Sequence, residues 1–418
     1  MLTASPVHRL TLDNGITLLF VENPAADVIA GRIFLKNAGT RYENREKAGL
    51  FHLLATLLTK GTENRSSVEI AEMVESTGAS LGADTGTDYF VVSLKTVSSD
   101  FLEIFRLAEE ILRCPSFPET EIELEKNLTC QSIRSQQEQP FNVAFHQLRT
   151  IMYPDHPYGL SILGTEESVA RIDREDLLNC HRTFFRPDNL VISLSGRCTL
   201  EQAVRAVEEV FGSWSVPDSV LPPLALPTVR VDPRRATTAR DTQQSIVMLG
   251  YLGASVLEED YAVLKLLGTY LGNGLSSRLF VELREKRGLA YDVSALYPTR
   301  LYPSQFVIYL GTAPVNTSIA LDGLRAEAER LCHATLSEDE LQSAKNKLLG
   351  QYALGKQTNA EIAQLYGWYE ALGLGIDFDL VFQEAIARVS AEQARQAAAK
   401  YLEQPYLSLV GPAEAIEL

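Results

Sequence analysis

The sequence predicts an α+β protein built from two similar halves, each with an antiparallel-rich sheet packed against helices. Three observations support this. Strand and helix patterns alternate through residues 7–137, a proline-rich segment then interrupts the chain, and the same order of elements returns after it. A repeat of roughly 200 residues favours two homologous halves, which we expect to face each other in a clam shell. The predicted domains are residues 1–214 and 236–418, with a linker over 215–235.

The first half opens on a hairpin pattern. Leucine and isoleucine alternate around Asp13-Asn14-Gly15, and Asn-Gly between alternating apolar residues is a strong signal for a tight turn. The later predicted elements are a strand over 28–37, a buried helix over 48–60, a helix over 66–76 that ends at Gly78, strands over 79–82 and 88–96, and helices over 100–114 and 119–137.

The linker contains four prolines within residues 215–227. Proline lacks a backbone donor and restricts φ, so this segment is predicted to be extended. The repeated elements after it are a strand over 245–250, helices over 260–270 and 275–286, a strand from Leu289, a strand over 304–311 and a helix over 318–332.

Charge and composition exclude several classes of function. The net charge of -16 argues against a nucleic-acid partner, because binding phosphates needs clustered lysine and arginine. No apolar run is long enough to span a bilayer, so no membrane insertion is expected. No basic and apolar leader pattern precedes the first strand, and the five cysteines form no C-x-x-C pair. These features predict a cytoplasmic, reducing location.

Several motifs occur in a specific order along nearly the whole chain. They are Leu12-Asp13-Asn14-Gly15, Lys60-Gly61-Thr62, His156-Pro157-Tyr158-Gly159, Phe185-Arg186-Pro187-Asp188-Asn189-Leu190 and Arg284-Glu285-Lys286-Arg287-Gly288-Leu289-Ala290-Tyr291. Together they resemble the M16 metallopeptidase family, which includes pitrilysin and mitochondrial processing peptidase. The closest pattern is the non-catalytic subunit of the small bacterial heterodimeric type.

The resemblance implies a degenerate zinc motif. The family's zinc helix reads H-x-x-E-H, and His52 matches its first histidine. Ala55 falls on the catalytic glutamate, Thr56 on the second histidine and Ser132 on the third ligand. A methyl group cannot act as a base, and a hydroxyl is a poor substitute for an imidazole on zinc. We therefore expect no metal in this chain and zinc only in a partner subunit. The alternative for His52 is an ordinary core histidine.

The second half keeps a different part of the family's chemistry. The resemblance implies that Arg284 and Tyr291, on a helix-to-strand corner, hold peptide substrate and stabilise the transition state at a partner's site. A guanidinium binds carbonyl or carboxylate oxygens, and a phenol can donate to an oxyanion. The alternative is that Arg284 pairs with Glu282 or Glu285 and that Tyr291 belongs to the core.

A glycine-containing loop precedes that helix. Gly272 and Gly274 are predicted to bind substrate, because glycine permits close approach of a peptide. The alternative for this loop is a helix N-cap.

These features predict an inactive subunit of a processing-peptidase-like enzyme. The leading hypothesis is a heterodimer with a homologous M16 subunit that carries an intact H-x-x-E-H, acting on peptide substrates. No peptidase activity is expected from the chain alone. The sequence leaves open whether the chain forms a homodimer without its partner. The alternatives are a structural scaffold and a peptide-binding homodimer without proteolytic role.

Overall fold

The computed structural model describes residues 6–417, which form two compact units. Unit 1 contains the described residues up to Ile133, together with Ser161–Ala225 and Ala353–Asp379. Unit 2 contains Arg134–Leu160, Leu226–Tyr352 and the described residues from Leu380 onward. Each unit combines one sheet with helices, so the predicted α+β class with two similar halves is confirmed.

The strands follow one another along both halves of the chain. In order they are β1 (Val7–Thr11), β2 (Thr17–Glu22), β3 (Val28–Leu35), β4 (Ser80–Thr85), β5 (Phe90–Val97), β6 (Leu190–Gly196), β7 (Arg235–Ala239), β8 (Ser245–Gly253), β9 (Asp292–Leu296), β10 (Ser304–Thr312) and β11 (Tyr406–Gly411).

The helices lie between these strands. In order they are α1 (Leu50–Leu57), α2 (Ser67–Ser76), α3 (Phe101–Arg113), α4 (Glu119–Glu138), α5 (Pro140–Met152), α6 (Glu166–Arg171), α7 (Arg174–Phe184), α8 (Leu200–Phe211), α9 (Asp260–Gly272), α10 (Thr317–His333), α11 (Glu338–Leu354), α12 (Asn359–Ala371), α13 (Phe378–Arg388), α14 (Ala391–Tyr401) and α15 (Ala413–Ile416), and a π-helix spans Phe280–Glu285.

The two sheets share one topology. The sheet of unit 1 has the order β1-β2-β6-β3-β5-β4, and that of unit 2 has the order β7-β11-β8-β10-β9. The pairs β2–β6 and β7–β11 are parallel, and the other neighbours are antiparallel. Every strand of unit 2 therefore has a counterpart in unit 1, which confirms the predicted internal repeat.

One helix from each half of the sequence packs on the sheet of the other half. In unit 2, α5 lies against β8 and β11, and a side chain at Gly250 would clash with Met152 Sδ at 2.7 Å. In unit 1, α12 lies against β3 and β6, and a side chain at Gly367 would meet Phe34 at 2.5 Å. The compact units therefore interleave the contiguous segments 1–214 and 236–418, because buried apolar surface decides packing and sequence order does not.

The predicted local elements are mostly present, with three differences. The buried helix predicted over 48–60 is α1, which is shorter: it begins after Gly49, whose φ is 95°, and ends at Leu57, four residues before Gly61. The strand predicted from Leu289 begins at Asp292. The α-helix predicted over 275–286 is instead a short helix with π hydrogen bonding.

The predicted linker lacks regular secondary structure. Residues 214–234 contain no helix or strand, and the boundary between the two units falls at Ala225. Within residues 6–417, no helix combines the length and apolar character needed to cross a bilayer.

Candidate functional site

The helix that carries His52 is anchored at its N-terminus by a buried glutamate. The Glu43 carboxylate accepts hydrogen bonds from the backbone amides of Gly49 (3.0 Å) and Phe51 (2.7 Å). Burial raises the pKa of Glu43 to about 8, and these amide donors oppose the shift. This contact satisfies amides of the first turn that have no partner within the helix.

His52 itself is half-buried and lies near two acidic residues. Burial lowers the pKa of its imidazole, and the carboxylates of Asp84 on β4 and Glu125 on α4 oppose this shift. Glu125 is also paired with Lys60, with Nζ and Oε1 2.9 Å apart. Reasoning from the sequence missed both acids. The one available signal was that Glu125 precedes Ser132 by seven residues, which places both on one face of α4.

The remaining positions of the zinc motif hold groups that do not suit zinc. Ala55 is buried in the core, and Thr56 Oγ1 donates to the Leu53 carbonyl at 3.0 Å. Ser132 is exposed and donates to the Leu128 carbonyl at 3.0 Å. One imidazole with a methyl and two occupied hydroxyls does not match the nitrogen, sulfur or carboxylate ligands that zinc requires.

The acids beside His52 do not complete such a site either. Within residues 6–417, no three histidine, cysteine, aspartate or glutamate side chains are grouped so that they could hold a metal ion. Glu125 is already neutralised by Lys60. We therefore derive no catalytic step through a metal bound to this chain.

Arg284 and Tyr291 lie on either side of a tight corner in unit 2. Gly288 takes the left-handed conformation with φ 62°, and its amide donates to the Arg284 carbonyl at 3.1 Å. The amide of Leu289 donates to the Leu283 carbonyl at 2.8 Å. The amide of Tyr291 then donates to the Gly311 carbonyl of β10 at 2.8 Å, just before β9 begins. The π-helix, the glycine and β9 together set the backbone at both side chains.

Both side chains at this corner are accessible. Tyr291 is 56% exposed, so it is not a core residue. Arg284 is exposed, and its guanidinium lies 4.9 Å from the centre of the Phe280 ring. Glu282, one of the two proposed competitors for Arg284, is bound to Arg278 (3.0 Å) and Lys286 (2.8 Å). Within residues 6–417, Glu285, the other competitor, forms no ion pair with Arg284 either.

The described part of the chain therefore supplies no ion pair to Arg284. A guanidinium and a phenol are both presented to solvent here, as substrate recognition would require. Their use in catalysis remains a prediction.

The two loop glycines have conformational reasons to be glycine. A Cβ at Gly272 would lie 1.9 Å from the Ala295 amide, because α9 presses against β9 at this point. Gly274 has a φ of 76° and lies beside Lys347. Their role in substrate binding remains a prediction. The alternative of a helix N-cap also stays a prediction, and the π-helix itself has no side-chain cap hydrogen bond.

Two family models and several curated proteins match this chain. Residues 20–166 match the family model described as insulinase (peptidase family M16), and residues 171–348 match the one described as the peptidase M16 inactive domain. An uncharacterized zinc protease of Bacillus subtilis is 26% identical over 97% of this chain and 98% of its own length. One from Streptomyces coelicolor is 27% identical over 97% of this chain and 90% of its own length.

Solved structures extend the similarity to the fold. The peptidase M16 inactive domain from Pseudomonas fluorescens superposes with a TM-score of 0.89 at 25% identity, covering 97% of this chain and 98% of that one. A protease from Helicobacter pylori has a TM-score of 0.90 at 20% identity, covering 98% and 100%, which supports the fold alone. With its repeated sheets and two matching domains, this chain belongs to the M16 peptidase family.

Proposed function

We propose that this chain is the non-catalytic subunit of a two-subunit M16 zinc peptidase. In this proposal a homologous partner with an intact H-x-x-E-H binds the zinc, and this chain supplies Arg284 and Tyr291 to the partner's reaction. The match to the M16 inactive domain is consistent with a non-catalytic M16-like protein. The finer assignments, including the pairing and the two residue roles, belong to the proposal.

One observation carries the proposal most directly. Of the family's zinc chemistry α1 keeps only His52, and Ala55 is buried in the core. Arg284 and Tyr291, in contrast, are both exposed at the corner of unit 2. Replacing an exposed tyrosine usually changes the stability of a protein very little. Packing alone therefore does not explain why Tyr291 is a tyrosine. Arg284 likewise has no ion pair within the described residues that would account for it.

The chemistry assigned to the two side chains is limited to binding and charge stabilisation. The Arg284 guanidinium would hold a peptide carbonyl through two hydrogen bonds. The Tyr291 hydroxyl would donate to the oxygen on which negative charge develops during attack on the scissile carbonyl. The proton transfer and the nucleophilic water would both belong to the partner.

The test is a mixing experiment with a quenched fluorescent peptide. The isolated chain is expected to be inactive, and adding the H-x-x-E-H subunit from the same genome should produce zinc-dependent cleavage. Arg284→Ala and Tyr291→Phe should each lower kcat/KM of the mixture by about a hundredfold, the size of effect measured when one transition-state donor is lost. Lys286→Ala is the matched control, since Lys286 is an exposed cation two residues from Arg284.

Three outcomes would contradict the proposal. Stoichiometric zinc and cleavage in the purified single chain would show that it needs no partner. Unchanged activity after both substitutions would remove the roles of Arg284 and Tyr291. Peptide binding by a homodimer that never joins an H-x-x-E-H subunit would favour a peptide-binding protein without proteolytic role.

A further inference from the structure

Unit 2 contains a polar pocket that neither Arg284 nor Tyr291 lines. It has a volume of about 360 Å³ and lies between the end of α9, the segment that leads into the π-helix, and α11. This volume is in the range of small-molecule sites. We refer to it as the α11 pocket, defined by Tyr270, Ser276, Ser277, Asp339, Ser343 and Lys347.

Most charged groups around this pocket are already paired. Arg278 lies 3.0 Å from Glu282, and Arg330 lies 3.2 Å from Glu340. The Tyr270 hydroxyl also donates to Glu340 at 2.7 Å. These groups have little charge left to offer a ligand, and they hold the walls in place.

Two lining charges are not neutralised in this way. Within residues 6–417, Lys347 and Asp339 have no ion-pair partner, although both line the pocket. The Lys347 ammonium donates to the Asn273 carbonyl and lies 3.4 Å from Ser276 Oγ, so it is held in the wall without a carboxylate. Burial lowers the pKa of Lys347, which an incoming carboxylate would reverse.

A buried hydroxyl in the same wall also lacks a partner. Ser277 is only 3% exposed and lines the pocket, and its Oγ makes no hydrogen bond within the described structure. An unsatisfied buried hydroxyl is unfavourable, and such groups normally have a protein or water partner. Because this oxygen has almost no accessible surface, Ser277 belongs to the wall of the pocket and is not counted among the groups that meet the ligand.

The spacing along α11 sets the size of the ligand. Asp339, Ser343 and Lys347 follow at intervals of four residues, so they lie along one face of the helix. Eight residues of α-helix separate the Cα atoms of Asp339 and Lys347 by about 12 Å, which sets the scale of the distance between their charged groups. An extended peptide spans about 3.3 to 3.6 Å per residue, so two or three residues fit between the two charges.

We propose that the α11 pocket binds a peptide of two or three residues by its charged ends. The peptide carboxylate lies at the Lys347 ammonium, and its α-ammonium lies at Asp339. This site goes beyond the proposed pairing, because binding here needs neither the partner subunit nor Arg284 and Tyr291. A cleavage assay and a binding assay can therefore fail separately.

The test is calorimetric titration of the full isolated chain with tri-alanine. Saturable binding with a Kd at or below about 1 mM is expected. Tri-alanine amide and N-acetyl-tri-alanine should each bind at least tenfold more weakly, because each lacks one charged end. Lys347→Gln should weaken tri-alanine binding by at least tenfold and leave binding of the amide unchanged.

Lys345→Gln is the matched control on the same helix. Its ammonium donates to the Ala387 carbonyl at 2.8 Å and does not line the pocket, so this variant should bind tri-alanine like the wild type. Absence of binding at 10-fold the expected Kd, or equal affinity for tri-alanine and its amide, would overturn the proposal. The comparison of blocked and free peptides uses the wild-type chain, so the test stands even if Lys347→Gln does not fold.

Discussion

Each unit contains a helix that turns at a glycine into the edge strand of its sheet, and the two corners differ in what they display. In unit 1, Gly78 joins α2 to β4, and in unit 2, Gly288 joins the π-helix to β9. Both glycines have a φ of 62°, and a Cβ added at either would meet no atom within 4 Å. Both units therefore use the same left-handed glycine turn between the helix and the edge strand.

The helices that lead into the two corners are wound differently. In unit 1 the Gly78 amide donates to the carbonyl three residues back, that of Glu75, at 3.0 Å. In unit 2 the Gly288 amide donates to the carbonyl four residues back, that of Arg284, at 3.1 Å. One extra residue is accommodated in unit 2, as expected for π-type winding, which is frequent at functional sites.

The side chains beyond the glycines also differ. Leu81, three residues after Gly78, packs against the core of unit 1. Tyr291, three residues after Gly288, is 56% exposed. The corner of unit 1 therefore contributes to core packing, whereas the equivalent corner of unit 2 exposes polar side chains. Four experiments would break or sharpen the comparison of the two units, three of them at these corners.

The largest expected effect concerns the buried leucine at the corner of unit 2. Leu283 is completely buried, and Leu283→Ala should lower the free energy of unfolding by about 3 to 4 kcal/mol, through lost burial and a cavity. Its counterpart in unit 1 is Val74, which is only partly buried. Val74→Ala should lower the free energy of unfolding by about 1 kcal/mol. Urea unfolding measures both. Equal losses would show that the two corners are packed alike.

A pH effect should appear in both units, because each contains a buried histidine with a strongly lowered pKa. Burial lowers the pKa of His181 in unit 1 and that of His156 in unit 2 to about 4. The unfolded chain binds these protons near the ordinary pKa of about 6.5, so stability is lost as the pH falls from about 6.5 to 4. The share of His181 is about 3 kcal/mol.

The measurement is urea unfolding at several pH values between 4 and 7. In the structure, His181 Nε2 lies 2.8 Å from the Leu112 carbonyl. His181→Gln keeps a donor for that carbonyl and removes one titrating group, so it should flatten the dependence on pH. An unchanged slope would mean that His181 does not titrate as inferred.

The third change gives the corner of unit 2 the residue found in unit 1. Tyr291→Leu should lower kcat/KM of the mixed enzyme by about a hundredfold, which corresponds to about 2.7 kcal/mol of barrier. Because Tyr291 is largely exposed, the free energy of unfolding should change by less than about 0.5 kcal/mol. A loss of stability that matched the loss of rate would indicate a packing role instead.

The smallest effect comes from the glycines themselves. Gly78→Ala and Gly288→Ala should each lower the free energy of unfolding by about 1 kcal/mol, because a side chain is disfavoured at this φ and nothing else hinders it. Thermal melting measures this loss, and the mixed peptidase assay measures the rate. Only Gly288→Ala should also slow the mixed enzyme. Equal rates for the two variants would separate the corner of unit 2 from catalysis.

Much of the local structure could be predicted because its causes are local. Ser66 and Glu69 form a capping box at the start of α2, and this pattern is visible in four consecutive residues. The Asn14-Gly15 hairpin and the repeated order of elements were predictable for the same reason. Short-range hydrogen bonds and alternation of apolar residues leave clear signals in a single sequence.

The parts that were missed depend on residues distant in sequence. The approach of Asp84 and Glu125 to His52 joins three separate elements. The π-helix before Gly288 replaced a predicted α-helix, since one extra residue cannot be recognised from apolar spacing alone. The α11 pocket likewise combines residues from α9, the loop at Ser277 and α11.

The sequence by itself determined the elements, their repetition and the residue types at the motif positions, because hydrogen bonding within a turn and the identity of a side chain are local properties. Only the tertiary structure decided that α5 and α12 each pack on the sheet of the other half, that Tyr291 is exposed, and that Lys347 and Asp339 share a pocket without partners. Burial and charge pairing depend on which distant surfaces meet, and local patterns carry no record of that.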